Sequence, residues 1–527
     1  MKILVFQQIY SLIILGAEGV TLTLLHVNDI HSHFEEVNVN TGRCRGTEVD
    51  GCYGGMSRMM TFIREVRTSD PDTILLNAGD YYQGTIWYTL FKYKPVVQFS
   101  NLLNYTAMAL GNHDWDDGLA GLQPFVNQVN FPVLASNIVS EDLKGVSNST
   151  VVQVDGVKVG IIGYTLLGTP NMSNSDENVF FFDEIESVRA EARRLKDRGV
   201  NIIIATGHSG YTLDKKMASE VEELDLVVGG HSHTFLYTGH PPSTDKPEGP
   251  YPTYIEQENG RVVPVVQAYA YTKYIGLLTL KFDEYGELEY PLGFAAPILL
   301  DQSIKKDTWV EEQLKPWKIY LKPYTTPISY ISNPLYREKN EESSMGNLVA
   351  DSMAAAWPGA NIALINDGGI RTGVEKGYVT GEDVYNVLPF NNTVDRIQLS
   401  GAQLKDVLED AVIDFCPDQT CEPEHFYQVS GLKIFYDIRI KNLGRRIRKL
   451  EYKTLDGRFV PVQDELIYPV VTVSFLLQPG KSKMAEFTST CKQGPLDYTV
   501  LTEYLKKNNP VNVKVEGRIT IRYVQKR

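Results

Sequence analysis

Short apolar runs alternate with polar, helix-forming stretches through the first 300 or so residues of the chain. Six of these runs are rich in Val, Ile and Leu, and each is followed closely by Gly, Asn or Asp: residues 22–27, 73–76, 107–110, 157–162, 202–205 and 224–228. Nearly continuous apolar runs of this length are typical of strands buried on both faces of a sheet. The pattern therefore predicts an α/β domain in the first part of the chain.

A charge-rich amphipathic segment around residues 309–321 interrupts this pattern and predicts a connecting helix. After it, a helix near 346–356 and a strand at 361–365 begin a second α/β unit. A chain of 527 residues is too long for one hydrophobic core, which agrees with such a division. We predict an N-terminal domain over 20–304, a linker helix over 305–324 and a C-terminal domain over 325–527.

The composition excludes several classes of protein. Hydrophobic residues make up 43% and charged residues 22%, which excludes a disordered chain and a polytopic membrane protein. The net charge of −14 provides no global field for DNA, RNA or anionic lipid. We therefore expect no nucleic-acid partner.

The two ends of the chain indicate a secreted protein. Residues 1–19 combine Lys2, a short apolar run and small residues, which predicts a signal peptide cleaved after Gly19; a buried first strand is the alternative. The last residues lack the features of a glycolipid anchor, so we expect no membrane anchor. Four asparagines fit the glycosylation acceptor pattern: Asn104, Asn148, Asn171 and Asn391.

Five cysteines are too few for a disulfide scaffold. Cys44 and Cys52 close one short polar loop, and Cys416 and Cys421 close another, so each pair is expected to form a disulfide. Cys491 is left over.

Side chains that suit metal binding follow five of the predicted strands. They are Asp29 with His31, Asp80, Asn112 with His113 and Asp114, His208, and His231 with His233. Ligands in open α/β sheets gather at the carboxyl ends of the strands, so these five clusters are expected to converge. A mixture of Asp, His and Asn suits a divalent cation such as Zn²⁺ or Mn²⁺.

The order of these clusters resembles the signature of the calcineurin-like metallophosphatases. The segment 77–85 and the tripeptide Leu388-Pro389-Phe390 resemble the 5′-nucleotidase/apyrase family within that superfamily. The resemblance implies an N-terminal four-layer αββα metallophosphatase domain and a C-terminal α/β 5′-nucleotidase-type domain. It also implies an active site between the two domains.

The resemblance further implies two divalent metal ions, with Zn²⁺ the first expectation and Mn²⁺, Ca²⁺ or Mg²⁺ the alternatives. By this match the first ion would be held by Asp29, His31, Asp80 and His233. The second would be held by Asp80, Asn112, His208 and His231. His113 matches the family histidine that stabilises the phosphate or protonates the leaving group, and Asp116 matches the carboxylate that orients it.

The C-terminal half is expected to bind the rest of a nucleotide. Residues 366–371 are similar to a family motif, which implies that Arg371 pairs with the substrate phosphate and that Asn366 lies near the base. Phe390 and Phe475 match two family aromatics that stack on the base. The alternative is that both phenylalanines belong to the hydrophobic core.

Two departures from the family bear on the substrate. The family places an aspartate that holds the ribose after the second aromatic, whereas residues 477–483 of this chain contain Lys481 and Lys483 and no carboxylate. We hypothesise that this change favours nucleoside di- and triphosphates. A phosphate-binding basic residue upstream of the helix near 346 matches either Arg337 or Lys339.

These observations predict a secreted, two-metal nucleotide phosphohydrolase of the apyrase type, which converts ATP and ADP to AMP. The predicted lack of an anchor makes it resemble the salivary apyrases of blood-feeding arthropods, in which removal of ADP would block platelet aggregation. A 5′-nucleotidase that hydrolyses AMP to adenosine is the first alternative. A second alternative is a catalytically weak protein that binds nucleotides or blocks a receptor. A third is an adhesion protein that displays Arg45 on the loop between Cys44 and Cys52.

Overall fold

The computed structural model describes residues 19–45, 51–419, 421, 423, 425–454 and 456–524. The predicted signal peptide falls on residues 1–19, of which 1–18 lie outside the described residues. Gly19 directly precedes the first strand, Val20–Val27.

Two mixed sheets form the centre of the N-terminal domain. The first has seven strands in the spatial order Phe294–Leu299, Tyr274–Phe282, Val20–Val27, Ile74–Asn77, Ala107–Ala109, Val133–Leu134 and Val146–Ser147. The second has six strands in the order Thr253–Glu256, Val262–Val266, Leu226–Val228, Ile202–His208, Val157–Thr165 and Ser149–Val154. Each of the six predicted strands is present, with bounds that differ by a few residues from those predicted.

The two sheets pack face to face and are covered by helices on their outer sides. Leu24 of the first sheet and Ile204 of the second lie in one buried core. Helices Met56–Ser69 and Tyr93–Leu103 pack on the outer face of the first sheet, while helices Glu184–Lys196 and Tyr211–Glu220 pack against the second. This is the four-layer αββα arrangement that the resemblance implied.

The predicted connecting helix is Thr308–Leu321, extended by a 3₁₀ turn at Lys322–Tyr324. Asp307 caps it by accepting a hydrogen bond of 2.9 Å from the backbone N–H of Val310. Val310 and Leu314 are buried in the same core as the first sheet. The helix therefore packs on the N-terminal domain before the chain enters the second domain.

The C-terminal domain is built on two four-stranded sheets and a two-stranded ribbon. The first sheet has the order Val394–Ser400, Ile467–Val473, Ile362–Asn366 and Tyr427–Ser430. The second has the order Phe459–Pro461, Ile447–Lys453, Leu432–Asp437 and Ile519–Arg522, and the ribbon pairs Pro327–Ile331 with Gly377–Thr380. The helices of this domain are Ser344–Ala356, Gly381–Val387, Gly401–Asp410 and Asp497–Lys507.

Cys44 is bonded to Cys52 and Cys416 to Cys421, as predicted, and Cys491 forms no disulfide. In the part of the chain that the structure describes, no helix is both long enough and apolar enough to cross a lipid bilayer.

Candidate active site

The five predicted clusters converge at the carboxyl ends of strands from both sheets of the N-terminal domain. Oδ1 of Asp29, which follows strand Val20–Val27, lies 3.1 Å from Nε2 of His233 and 3.7 Å from Nε2 of His31. The two histidine nitrogens are themselves 3.1 Å apart. These three side chains form one group of candidate metal ligands.

Asp29, Asp80 and His208 form a second group beside the first. Oδ2 of Asp80 lies 3.0 Å from Nε2 of His208, and Oδ1 of Asp29 lies 3.6 Å from the same nitrogen. Oδ2 of Asp80 is also 3.6 Å from Nε2 of His31. Both carboxylates therefore face both groups, whereas the resemblance gave a shared position to Asp80 alone.

Asn112 and His231 complete the set beside the second group. Oδ1 of Asn112 lies 2.8 Å from Nδ1 of His231, whose ring makes an edge contact with that of His208 at a centroid distance of 5.2 Å. The structure thus brings all seven predicted ligands to one place. Oδ1 of Asp29 and Nε2 of His208 are buried, and although His233 and Asp80 lie within 3.1 Å of them, neither atom forms a well-aligned hydrogen bond among the described residues. Buried polar atoms without partners are expected where a cation binds, so the residues fit a metal site.

Burial and the neighbouring carboxylates set the charge of the histidines. At His208 burial acts to lower the pKa, but Asp80 and Asp29 raise it to about 10. At three other histidines burial dominates. It lowers the pKa of His231 to about 3 and that of His233 to about 4, and it holds the pKa of His31 well below its usual value. These imidazoles are therefore neutral and keep a lone pair for a metal. Burial alone would raise the pKa of Asp29, but His233 and His208 hold it below its usual value, so the carboxylate is ionised.

The backbone of the site is strained at five candidate ligands, each with a positive φ. The φ angles are 50° at Asp29, 47° at His31, 55° at Asp80, 75° at His231 and 54° at His233. Non-glycine residues seldom adopt this region, and such strain collects at functional sites. Position 111 requires glycine, because a Cβ there would lie 2.1 Å from Oδ1 of Asp80 and collide with it.

Asp114 has a role that the sequence analysis did not assign. Its Oδ1 accepts hydrogen bonds from the backbone N–H groups of Tyr81 (3.0 Å) and Tyr82 (3.2 Å). Its Oδ2 accepts from those of Gly111 (2.8 Å) and Asp80 (3.2 Å). One buried carboxylate therefore ties together the two loops that carry Asp80 and Asn112. Its position in the motif with His113 was the available signal.

His113 and Asp116 form the pair that the resemblance implied. Nδ1 of His113 lies 2.8 Å from Oδ2 of Asp116. Burial acts to lower the pKa of His113, but Asp116 and Asp80 raise it, and the net result is a pKa above the usual value. The ring of His113 stacks on Phe390 of the other domain, at a centroid distance of 5.6 Å.

A cavity of ≈ 360 Å³ opens between the two domains beside the candidate metal ligands. Its walls include both predicted catalytic residues and all four predicted substrate residues: His113, Asp116, Asn366, Arg371, Phe390 and Phe475. The guanidinium of Arg371 reaches across the interface, with Nη2 3.1 Å from Nε2 of His31. Its centre also lies 5.8 Å from the centroid of the Phe390 ring.

The two phenylalanines line this cavity and are only partly buried, so they are not simply core residues. Asn392 holds the segment that carries Phe475 beside the one that carries Phe390. Its Oδ1 accepts hydrogen bonds from the backbone N–H of Phe475 (3.1 Å) and from Oγ of Ser474 (3.2 Å). In the sequence, Asn392 stands out only as the middle residue of the acceptor pattern that begins at Asn391.

Lys481 also lies on the cavity wall, but its ammonium is used in a different way from the one hypothesised. Nζ donates to the carbonyl oxygens of Pro170 (2.7 Å) and Ser173 (2.5 Å) in the N-terminal domain. The charge is thus directed at backbone carbonyls rather than towards a polyphosphate.

The other basic residues considered from the sequence also have partners. Arg337 pairs with Asp367 at 3.4 Å, and Lys339 donates to the carbonyl of Ser232 at 2.7 Å. Arg45 of the hypothesised adhesion loop lies 3.5 Å from Asp383, while residues 46–50 lie outside the described residues. The arginine is therefore directed at the C-terminal domain.

Comparisons with known proteins agree with this site. Residues 22–235 match the family model described as "Calcineurin-like phosphoesterase", and residues 324–489 match "5′-nucleotidase, C-terminal domain". A 5′-nucleotidase of Bos taurus is 38% identical, over 94% of this chain and 90% of its own length. A snake venom 5′-nucleotidase of Gloydius brevicauda is also 38% identical, over 96% and 89%.

A solved structure shares the whole architecture. The crystal structure of a 5′-nucleotidase precursor from Thermus thermophilus superposes with a TM-score of 0.88 at 33% identity, covering 95% of this chain and 99% of that one. The family implies two divalent metal ions, for which the site described above supplies candidate ligands. The chain therefore belongs to the 5′-nucleotidase family of calcineurin-like phosphoesterases and is a metal-dependent nucleotide phosphohydrolase.

Proposed function

We propose that this enzyme hydrolyses nucleoside 5′-monophosphates, with AMP giving adenosine and inorganic phosphate. The named relatives favour this reaction, since mammalian, snake venom and bacterial proteins that match over nearly the whole chain are called 5′-nucleotidases. For this reason we prefer AMP hydrolysis, the first alternative drawn from the sequence, to the apyrase reaction that was the first expectation.

The position of Arg371 is the observation that carries the proposal. Its guanidinium lies 3.1 Å from His31 of the candidate metal site and 5.8 Å from the ring of Phe390. A phosphate bound beside the candidate metal ligands is within reach of the Arg371 guanidinium. A base attached to that phosphate through one ribose is within reach of Phe390. Arginine binds phosphate oxygens in a bidentate manner, which fixes the orientation of the group.

The remaining side chains have roles that follow from their chemistry. Asp29, Asp80 and the surrounding histidines would hold two divalent cations, which would neutralise phosphate charge and lower the pKa of a water molecule. His113, held by Asp116 at 2.8 Å, stabilises the phosphate or donates a proton to the leaving ribose oxygen. Phe390 and Phe475 stack on the base, and Asn366 contacts its edge.

Hydrolysis of ATP and ADP to AMP, with an anti-platelet role in a blood-feeding arthropod, is the second candidate. One observation favours it: residues 477–483, which follow Phe475, contain no carboxylate for the ribose hydroxyls. Looser recognition of the nucleoside allows longer phosphate chains to bind. The likeness to salivary apyrases stays a prediction.

We also propose that the protein is a secreted glycoprotein and that Zn²⁺ is its metal. The four acceptor asparagines, Asn104, Asn148, Asn171 and Asn391, are all exposed, which supports glycosylation. Asn391 also lines the cavity beside Phe390, so we expect that position to carry no glycan or a glycan turned away from the cavity. Ligand sets of histidine and carboxylate suit Zn²⁺, although Mn²⁺ shares this preference.

Initial rates of phosphate release from AMP, ADP, ATP and UDP, each with Zn²⁺, Mn²⁺, Ca²⁺ or Mg²⁺, test the proposal. Chromatography of the products identifies the bond that is cleaved. Formation of adenosine from AMP supports the 5′-nucleotidase function. Consumption of ATP and ADP with accumulation of unreacted AMP supports the apyrase function. If no metal gives phosphate release, the protein is a nucleotide- or receptor-binding protein instead.

A further inference from the structure

Lys481 joins the two domains at the wall of the nucleotide cavity. Its ammonium donates hydrogen bonds to the carbonyl oxygens of Pro170 and Ser173, with Nζ···O distances of 2.7 Å and 2.5 Å. The residue is only 6% exposed. A buried ammonium is unfavourable unless it is hydrogen-bonded, so this contact is specific and is not that of a solvated surface lysine.

The segment that accepts these bonds is itself bonded to the turn that carries His113. Oγ of Ser173 donates to the carbonyl of Asn112 at 2.5 Å, and Nδ2 of Asn174 donates to the carbonyl of Asp116 at 2.8 Å. Asn112 and Asp116 lie on either side of His113 in the sequence. These two bonds fix the segment relative to the His113 turn, so a contact with the segment sets the position of the C-terminal domain relative to His113.

In the C-terminal domain, the contact lies beside Phe475, which together with Phe390 forms the base-stacking wall of the cavity. Nζ of Lys481 lies 5.5 Å from the centroid of the Phe475 ring. The turn between the two residues is held by backbone and side-chain bonds, from the N–H of Lys481 to the carbonyl of Gln478 (3.2 Å) and from Oγ of Ser482 to the carbonyl of Leu476 (2.7 Å). Lys481 is therefore fixed relative to Phe475.

We propose that Lys481 is a positioning residue that connects the base-stacking wall of one domain to the His113–Asp116 turn of the other. The proposal rests on the proposed nucleotide hydrolysis. By fixing the distance between these two elements, Lys481 sets where a nucleoside anchored on Phe475 places its 5′ oxygen relative to His113. A substrate without a base does not use this anchor and is expected to depend much less on the contact.

The test compares Lys481→Met with the matched control Lys483→Met. Methionine retains an apolar stem and removes the ammonium. Lys483 lies two residues away, and its ammonium bonds Glu486 of its own domain at 2.8 Å. The substrates are AMP and ribose 5-phosphate, which has the same phosphate and sugar but no base. Lys481→Arg, which can also donate to two carbonyls, is the conservative variant.

For Lys481→Met we expect kcat/KM for AMP to fall by about tenfold to a hundredfold, since a small misplacement of a bound substrate has effects of this size. The rate with ribose 5-phosphate is expected to fall much less, Lys481→Arg to recover most of the loss, and Lys483→Met to match the wild type. An unchanged kcat/KM for AMP, or equal losses with the two substrates, would overturn the proposal.

Hydrogen–deuterium exchange of residues 169–174 provides a readout that does not require turnover. Exchange in this segment is expected to be faster in Lys481→Met than in the wild type and in Lys483→Met. Unchanged exchange would mean that Lys481 does not hold the segment. If the wild-type protein fails to hydrolyse AMP, the proposed function is wrong, and the exchange comparison still tests the contact by itself.

Discussion

Nδ1 of His113 lies 2.8 Å from Oδ2 of Asp116, three residues later in the same turn. The pair sits at the edge of the candidate metal site, because the backbone N–H of His113 also donates to Oδ1 of Asp80 at 2.8 Å. On its other side the His113 ring meets Phe390 of the C-terminal domain. The imidazole is therefore oriented by one carboxylate and placed between the candidate metal ligands and Phe390.

Replacing Asp116 by asparagine is expected to lower kcat for AMP by about a hundredfold with little change in KM, because general acid–base groups contribute factors of this order. Steady-state kinetics measure both constants. Asp197→Asn, at an exposed position after helix Glu184–Lys196, is the control. Unaltered kcat in Asp116→Asn would show that the pair has no catalytic role.

Gly111→Ala is expected to abolish both metal binding and activity, since the added Cβ would collide with the Asp80 carboxylate. Gly293→Ala is a matched control, because a Cβ there meets no atom within 4 Å. Metal content by mass spectrometry and AMP turnover measure the effect. A Gly111→Ala protein that binds metal normally would contradict the tight packing described for the site.

Phe475→Ala is expected to raise KM for AMP while leaving ribose 5-phosphate hydrolysis much less affected. Stacking on an aromatic ring contributes about 1–3 kcal/mol per base, which corresponds to a rise of roughly fivefold to more than a hundredfold. Phe459→Ala, in the second four-stranded sheet of the C-terminal domain, controls for general loss of packing. Equal losses with both substrates would show that Phe475 does not bind the base.

Asp225 lies far from the candidate active site, and its buried carboxyl is expected to make the stability of the protein depend on pH. Burial raises its pKa to about 6, although Arg261 at 2.5 Å and the N–H of Ile203 at 2.7 Å act to lower it. A folded-state pKa above the unfolded value means that the folded protein binds this proton more tightly. The contribution of Asp225 to stability is therefore lost as the pH rises through about 6.

In Asp225→Asn this contribution is absent. The difference in unfolding free energy between wild type and variant is expected to shift in favour of the variant, by roughly 3 kcal/mol at most, between pH 4 and pH 7. Urea titrations at several pH values measure it. A difference that does not vary with pH would contradict the raised pKa.

Much of the fold and of the candidate site follows from the sequence. Apolar runs such as residues 202–205 predicted buried strands, and the polar residues after each run were expected to meet because strands end at a common edge. Asp29, Asp80 and His208 do meet in this way. Local composition is sufficient here because each ligand is placed by the strand that precedes it.

Contacts between the domains are not encoded in this local pattern. Lys481 bonds a segment about three hundred residues earlier, and nothing in its own neighbourhood indicates a carbonyl partner. The positive φ of Asp29 and His233 also has no local signal, since it is imposed by the surrounding structure. Asp114 was visible within its motif, but its four backbone partners became apparent only once the loops were brought together.

The central claim is that AMP is hydrolysed at a site that requires two divalent ions. The most direct test is to strip the protein with a chelator, add back Zn²⁺ or Mn²⁺ in steps, and measure metal content and AMP turnover on the same samples. We predict that turnover is lost with the metal and is restored fully as two equivalents per chain bind. Full AMP hydrolysis by the metal-free protein would contradict the account.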